Sequence, residues 1–141
     1  MARITTGNIS SLVTTGAGLD ILRYFALPDM LGEDTEQILY IMGRNIARNS
    51  AYENNEEVTS FFRDFGWGEL EKEKSGKNEI HFSLHGDVVK QRLDQEEFQI
   101  NAKLEAGFLA ECLSKLENET FECRDEINEK KHSISLIAYK L

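Results

Sequence analysis

Apolar residues recur every three or four positions along four stretches of the chain, which is the period of a helix with one buried face. The four predicted helices carry these apolar faces in residues 19–26, 38–47, 58–65 and 101–116. Pro28 is expected to end the first helix, because a proline disfavours helical geometry at the residue before it. Gly66 is expected to end the third helix. Residues 86–99 have an ambiguous pattern that allows one helical turn and a short strand.

Two short sequences contain the residues of a helix N-terminal cap. Asp34 precedes Gln37 by three positions, and Asn54 precedes Glu57 by three. In such pairs the first side chain caps free backbone N–H groups and the second reaches back, so they predict the starts of the second and third helices. The second helix is apolar around much of its girth. It is therefore expected to be buried on two sides, either within the core or partly under another subunit.

Apolar and polar residues alternate along four other stretches, which is the period of a half-buried strand. The predicted strands form two hairpins: 67–73 with 79–85 around a turn at 75–78, and 121–127 with 133–138 around a turn at 128–131. The chain order is helices, hairpin, long helix, hairpin. This order predicts an α+β domain, residues 18–141, with a four-stranded antiparallel sheet packed on one face by about four helices. Residues 1–17 are expected to be a loose lead-in.

Gly43 and Gly107 each lie within a predicted helix of strongly apolar character. A glycine inside a helix costs about 1 kcal/mol relative to alanine, so its position needs a reason. A backbone without Cβ allows a closer approach by another group. Two interpretations follow. Either the helix packs closely on another helix or on the sheet, or the glycines form the floor of a site for an apolar molecule.

Composition and charge limit the possible partners. The chain has 141 residues, of which 40% are apolar and 29% charged, and this mixture is typical of one globular domain rather than of disorder. Its formal net charge of −9 disfavours binding to nucleic acids and to anionic membranes. We find no transmembrane stretch and no secretory signal, and therefore expect a cytoplasmic protein without membrane insertion. Cys112 and Cys123 form no close-spaced pair and are expected to be reduced thiols.

Four motifs in the same order and spacing resemble the YslB-like family of small bacterial proteins. They are LPDMLG (27–32), ILYIMGRNIAR (38–48), FFRDFGWGEL (61–70) and LEAGFLAECL (104–113). That family is itself similar to the vinyl-reductase-like ligand-binding domain and to subunits of the TRAPP vesicle-tethering complexes. The resemblance implies four antiparallel strands packed with helices, a tendency to dimerise, and an apolar cavity that can hold a small hydrophobic molecule or acyl chain. It implies no particular activity.

The last hairpin of this chain differs from that of these relatives in its cysteines. Vinyl-reductase-like domains often carry a cysteine pair in the last hairpin, approximately where Ile127 and Ser135 stand in this chain. Cys123 is offset from that register, and a single thiol cannot supply a two-cysteine metal site. The metal or redox roles of those relatives are therefore not expected here.

Few residues suggest chemistry of their own. Nucleophile, zinc-protease and phosphate-loop motifs are absent, so we expect no catalytic residues, no cofactor and no enzymatic activity. His81 and His85 project from one polar strand face and could begin a zinc site, but a solvated face is the simpler interpretation and no metal is expected. Glu105 is either stabilised by the helix dipole or a polar anchor in an apolar pocket. Cys112 is expected to be a small core residue rather than a reactive thiol.

These observations favour a non-enzymatic homodimeric domain that binds a small apolar ligand or acts as a sensor scaffold. The candidate ligand-pocket residues are Met42, Gly43, Phe61, Phe65, Trp67, Phe82, Glu105, Gly107, Phe108 and Cys112. The candidate dimer face consists of Tyr40, Ile41 and Arg44. The alternative is a protein-interaction module with a filled core, because apolar side chains exposed on a helix usually have partners. An enzyme is a remote alternative, since it requires a cleft with converging ionisable groups.

Overall fold

The structure is a computed structural model that describes residues 4–7 and 16–141. The chain is helical almost without interruption over residues 17–48. The successive pieces are α1 (Ala17–Ile21), a π-helical turn (Leu22–Ala26), α2 (Leu27–Leu31), a 3₁₀ turn (Gly32–Asp34) and α3 (Thr35–Arg48). The expectation that Pro28 ends the first helix is wrong. Pro28 lies in the first turn of α2, where the N–H that proline lacks has no obligatory partner.

The start of α3 is predicted at the correct place but with the wrong contact. Asp34 precedes the helix, yet its side chain makes no capping hydrogen bond. The reason is that the 3₁₀ turn already holds the backbone in helical geometry before the helix begins. The Thr35 hydroxyl instead donates to the Gly32 carbonyl oxygen over 2.7 Å.

The second predicted cap is confirmed. Helix α4 (Asn55–Asp64) begins after Asn54, whose side-chain oxygen accepts a hydrogen bond from the Glu57 N–H over 2.9 Å. Gly66 follows the end of this helix with φ of +78°, a conformation that glycine adopts without strain. The chain can therefore turn sharply there and enter the sheet.

The sheet has the predicted number of strands and the predicted hairpins. The strands are β1 (Glu69–Ser75), β2 (Glu79–His85), β3 (Phe121–Asn128) and β4 (Ser133–Lys140). All neighbours are antiparallel and the spatial order is β1-β2-β4-β3, so the two hairpins meet through β2 and β4. Between the hairpins lie α5 (Asp87–Asp94) and α6 (Lys103–Glu117). Residues 86–99 thus form a helix of eight residues and no strand.

The core lies between one face of the sheet and the helices. Ile80, Phe82 and Leu84 alternate inward along β2, as predicted, while the residues between them stay partly accessible. Helix α6 packs on β3, α4 packs on β1, and α3 packs against α6. The fold is therefore the predicted two-layer α+β arrangement with one covered sheet face.

The helical segment 17–31 has its polar side chains inside, contrary to the predicted apolar stripe. Its only buried side chains are those of Arg23 and Tyr24. Six large apolar residues of this segment are exposed, while Leu27 is partly buried; the six are Leu19, Ile21, Leu22, Phe25, Met30 and Leu31. The segment therefore leaves an apolar surface uncovered.

Part of the N-terminal lead-in can be assessed. Ile4 pairs with Ser50 in a single parallel bridge. The Ile4 N–H donates to the Asn49 carbonyl oxygen over 2.8 Å, and the Ala51 N–H donates to the Ile4 carbonyl oxygen over 2.9 Å. Ile4 is therefore hydrogen-bonded to the residues that follow α3. Residues 1–3 and 8–15 lie outside the described residues.

No helix within residues 4–7 and 16–141 combines sufficient length and apolarity to cross a bilayer.

Candidate functional site

Gly43 and Gly107 form the contact between α3 and α6. A Cβ atom added to Gly43 would lie 2.1 Å from the Leu104 carbonyl oxygen, and one added to Gly107 would lie 2.0 Å from the Tyr40 carbonyl oxygen. Both distances are far below any real carbon–oxygen contact, so the two backbones touch where the side chains are missing. The prediction of close helix packing is confirmed. The backbone of the opposite helix fills the space that a ligand would need at these two positions.

The aromatic residues of the candidate pocket pack against one another. Phe108 of α6 contacts the rings of Phe61, Phe62, Phe65 and Trp67, with centroid distances between 5.3 and 6.0 Å. All four contacts are edge-to-face, an arrangement that aromatic pairs prefer. The rings therefore fill this part of the core with each other.

A small cavity lies beside this aromatic cluster, between α4, α6 and the inner face of the sheet. Its volume is about 70 Å³. The lining residues are Asn55, Val58, Thr59, Leu70, Lys72, Phe82, Leu109, Cys112 and Leu113. Phe82 and Cys112 are thus the two candidate pocket residues that the structure brings to one cavity.

The sequence of β1 explains why the cavity lies there. Lys72 pairs with Phe82 across the β1–β2 ladder, so both side chains face the helices. Leu70, two residues earlier on this face, is buried, whereas Lys72 is exposed. A lysine must keep its ammonium group in water, and it therefore leaves the edge of the inner face incompletely filled. The polar rim comes from Lys72 together with Asn55 and Thr59.

Cys112 contributes a buried thiol to the cavity wall. Burial raises the pKa of Cys112 to about 12, because the charged thiolate loses hydration. Burial likewise raises the pKa of Cys123. At neutral pH both thiols are therefore protonated, and a protonated thiol is a poor nucleophile and metal ligand. This state fits the interpretation of Cys112 as a core residue.

Glu105 is not in the cavity but in a buried ion pair with Arg23. Arg23 Nη1 donates to Glu105 Oε2 over 2.9 Å, and Nη2 donates to Glu105 Oε1, so the pair is bidentate. Both side chains are at least nine-tenths buried. Burial alone lowers the pKa of Arg23, but the carboxylate beside it raises it more. The guanidinium group therefore stays charged and fastens segment 17–31 to α6.

Neighbouring contacts extend this attachment. Arg23 Nη2 and the Tyr24 hydroxyl both donate to the Asn101 carbonyl oxygen, over 3.2 and 3.1 Å. Sequence reasoning missed Arg23. The available signal was an arginine beside the apolar positions of the first predicted helix, together with a glutamate in the apolar stripe of the longest helix.

Two residues of the candidate dimer face make contacts within the chain. The Tyr40 hydroxyl accepts from the Cys123 N–H over 3.0 Å, and Arg44 Nη1 donates to the Phe121 carbonyl oxygen over 3.2 Å. Both partners are backbone groups of β3, an edge strand of the sheet. Tyr40 and Arg44 therefore cover a strand edge that would otherwise expose unpaired groups.

Ile41 and Met42, in contrast, face outward. Their exposed fractions are 49% and 41%. Met42 was a candidate for the ligand pocket, but the structure places it at the surface and outside the cavity lining. It joins Ile41 as a residue available to a partner.

His81 and His85 lie on the uncovered sheet face, each beside its own glutamate. His81 Nε2 is 3.1 Å from Glu79 Oε1, and His85 Nε2 is 3.3 Å from Glu71 Oε2. Within residues 4–7 and 16–141, no three His, Cys, Asp or Glu side chains come together in a way that could hold a metal ion.

The buried tyrosines predict a loss of stability at alkaline pH. Burial raises the pKa of Tyr40 from 10 to about 12, and it also raises those of Tyr24 and Tyr52. Above pH 10 the unfolded chain loses protons that the folded chain keeps. The free energy of unfolding should therefore begin to fall near pH 9, where the two thiols ionise in the unfolded chain, and fall more steeply as the pH rises from 10 through 12. Urea unfolding at several pH values in this range measures the free energy of unfolding. In Tyr40→Phe this free energy should fall less steeply with pH, and an unchanged slope would contradict the contribution assigned to Tyr40.

Similar folds define the class of this protein. A vinyl-4-reductase family protein from Methanocaldococcus jannaschii matches with a TM-score of 0.63 at 16% identity, covering 96% of this chain and 90% of that protein. The phenol-responsive sensory domain of the transcription activator PoxR, solved with phenol, matches with a TM-score of 0.62 at 15% identity, covering 92% and 76%. The chain is thus an α+β domain with the vinyl-4-reductase-like fold.

Sequence comparison then gives the family. The chain belongs to the family of proteins of unknown function DUF2507, whose sequence profile matches residues 16–139. The uncharacterised protein YslB of Bacillus subtilis is 30% identical over 129 residues, which are 92% of this chain and 86% of YslB. The uncharacterised protein MJ1642 of Methanocaldococcus jannaschii is 27% identical over 90 residues, which are 64% and 54%. The resemblance to the YslB-like family is confirmed.

Proposed function

We propose that this protein is a non-enzymatic, cytoplasmic sensor domain that binds a small apolar molecule and works as a homodimer. The observation that carries the ligand proposal is the cavity of about 70 Å³ between α4, α6 and the sheet, lined mainly by apolar side chains. The fold shared with a phenol-responsive sensory domain supports it, since that domain was solved with phenol. The protonated state of both thiols favours binding over catalysis.

The volume of the cavity limits the size of the ligand. A water molecule occupies about 30 Å³ of liquid, and an apolar cavity of about 150 Å³ can hold benzene. The cavity of about 70 Å³ is therefore smaller than one benzene ring requires. A ligand of that size enters only if side chains such as Leu109 or Leu113 change rotamer. We propose a small aromatic or branched molecule whose polar end meets the rim of Asn55, Thr59 and Lys72.

Phenol is a suitable probe for this site. We expect phenol to shift the backbone amide NMR signals of residues around the cavity, Val58 and Leu109 in particular. Val58→Phe places a ring inside the cavity and should abolish these shifts, because the remaining volume can no longer admit the probe. The measurement is a titration of the labelled full chain with phenol, followed in 1H–15N spectra.

A matched variant separates cavity filling from a general effect of added bulk. Val88 is exposed at 39%, so Val88→Phe adds the same ring at the surface. It should bind phenol as the unmodified chain does. If phenol shifts no cavity signal, or if Val58→Phe and Val88→Phe respond equally while both remain folded by circular dichroism, the ligand proposal fails.

A second candidate function is a protein-interaction module with a filled core. The specific observation in its favour is the apolar surface of segment 17–31, which includes Phe25 at 56% and Met30 at 83% exposure. Monomers of soluble proteins rarely expose contiguous apolar areas of this kind without a partner. Native mass spectrometry of protein purified from its own host distinguishes the candidates, since a retained small molecule supports the sensor and a retained second protein supports the module.

A further inference from the structure

The exposed face of α3 has an unusual order of charges. Asp34, the last residue of the 3₁₀ turn that leads into α3, stands seven residues before Ile41, and Arg48 stands seven residues after it. Seven residues are close to two helical turns, so the three side chains lie along one face. All three are exposed, and so are Gln37 and Asn45 between them. The face is therefore acidic at its start, apolar at its centre and basic at its end.

This order is complementary to itself. If two copies of the helix lie antiparallel with a two-fold axis at Ile41, Asp34 of each copy faces Arg48 of the other. The arrangement brings opposite charges together at both ends and apolar side chains together at the centre. A chain with a net charge of −9 resists self-association elsewhere, so a face that pairs acid with base is the place where two copies can meet.

The exposed apolar side chains of segment 17–31 lie next to this face of α3 and enlarge it. Helix α2 packs on α3 and presents Met30 and Leu31, while Leu22 and Phe25 precede it on the same segment. Ile41 and Met42 add to these exposed apolar side chains, and a stable interface of standard size needs about 800 Å² from each partner. The ion pair of Arg23 with Glu105 holds this surface in place beside α3.

We propose that this face binds a second copy of the chain, with α3 packed antiparallel to α3 of the partner and segment 17–31 flanking the contact. This proposal specifies the surface of the homodimer included in the proposed function, and it replaces the candidate face of Tyr40, Ile41 and Arg44 by one centred on Ile41 and Met42. Tyr40 and Arg44 hold α3 on β3 and thereby support the face from behind.

Analytical ultracentrifugation of the full chain tests the centre of the face. We expect a dimer for the unmodified chain. Ile41→Asp places two carboxylates against each other at the axis and should raise the dimer dissociation constant by at least about tenfold. The exposed side chain of Ile41 contributes little to the core, so thermal unfolding of the variant at matched monomer concentration should stay close to that of the unmodified monomer.

A charge-reversal cycle tests the antiparallel order. Asp34→Arg and Arg48→Asp each create like-charge contacts twice per dimer, and each should weaken the dimer by about tenfold. The double variant restores opposite charges and should recover most of the affinity. Arg48 also lies 3.2 Å from Glu111 of its own chain, so each variant is checked for folding by circular dichroism. The matched control reverses the exposed pair Lys90 and Asp94 on α5, which should leave the dimer unchanged.

The outcomes separate this inference from the ligand proposal. A monomer at about 100 μM, or a dimer that Ile41→Asp does not weaken, overturns the inference. A double charge variant no tighter than the single variants overturns the antiparallel order. Phenol binding by an Ile41→Asp monomer would show that the sensor proposal does not depend on this interface. A dimer that binds no phenol would support the interface and contradict the ligand proposal.

Discussion

Gly107→Ala should lower the stability of this domain more than almost any other single methyl addition. The new Cβ would lie 2.0 Å from the Tyr40 carbonyl oxygen and 2.8 Å from its carbonyl carbon. These are backbone atoms of α3, which cannot rotate away, so the two helices must move apart. Overpacking of this kind typically costs about 1–3 kcal/mol or more, against a gain of about 1 kcal/mol from helix propensity. Because the new contacts are with backbone atoms, the cost should lie at the upper end of this range, and we expect a net loss of about 2 kcal/mol, seen as a fall in melting temperature of roughly 6–8 °C.

The chain offers a matched control for this prediction. Gly18 lies in α1, and a Cβ added to it would meet nothing within 4 Å. Gly18→Ala should therefore be neutral or slightly stabilising. Gly43→Ala should resemble Gly107→Ala, and the double variant should lose less than the sum of the two, because both changes separate the same pair of helices. Equal melting temperatures for Gly107→Ala and Gly18→Ala would show that the helix contact is looser than the structure describes.

The glycine contact also shows what a sequence can reveal about a fold. Gly43 and Gly107 stand out because each places a residue of low helix propensity inside a strongly periodic apolar segment. This unfavourable choice indicates that a tertiary contact requires glycine at that position. The same periodicity predicts the strands, because alternation along β2 reports a sheet with one buried face. These features depend on residues close in sequence, so they are visible without coordinates.

Contacts between distant residues were harder to predict. The alternation of apolar and polar residues along β3 is interrupted at Asp125, and the sequence around this residue gives no reason for the interruption. In the structure the Asp125 carboxylate accepts a hydrogen bond from the Ala102 N–H over 2.8 Å, at the start of α6. The partner is 23 residues away, and no local pattern identifies it. The same limit applies to Lys72, whose position at the cavity rim depends on its pairing with Phe82.

The orientation of segment 17–31 was predicted wrongly for a physical reason. An apolar stripe ordinarily marks the buried face of a helix, and that rule assumes that apolar burial attaches the helix. Here the attachment is polar, since Arg23 is buried and Leu22 and Phe25 are exposed. Periodicity shows that a helix has two different faces, but it does not show whether the apolar face belongs to this chain's core or to an interface.

The polar attachment leads to a second large expected effect. Glu105→Ala removes the carboxylate that both terminal nitrogens of Arg23 contact, and it leaves Arg23, a residue that is only 6% exposed, without its ion-pair partner. Breaking a buried ion pair in this way costs about 3–5 kcal/mol, because the remaining charge has lost its hydration. We expect segment 17–31 to detach from α6 to restore water to Arg23. Hydrogen exchange should report faster exchange in residues 17–31, and chemical unfolding should report the loss in free energy.

Two comparisons decide whether the effect comes from burial of the charge. Glu69→Ala breaks the exposed bidentate pair with Arg63 and should cost less than about 1 kcal/mol, since solvent screens such pairs. The double variant Arg23→Met with Glu105→Leu removes both buried charges and should recover most of the stability lost in Glu105→Ala. If Glu105→Ala costs no more than Glu69→Ala, or if the double variant is as unstable as the single one, the ion pair does not fasten the segment. Recovery in the double variant with slow exchange in residues 17–31 would show that attachment needs only the matching of the two side chains, not their charge.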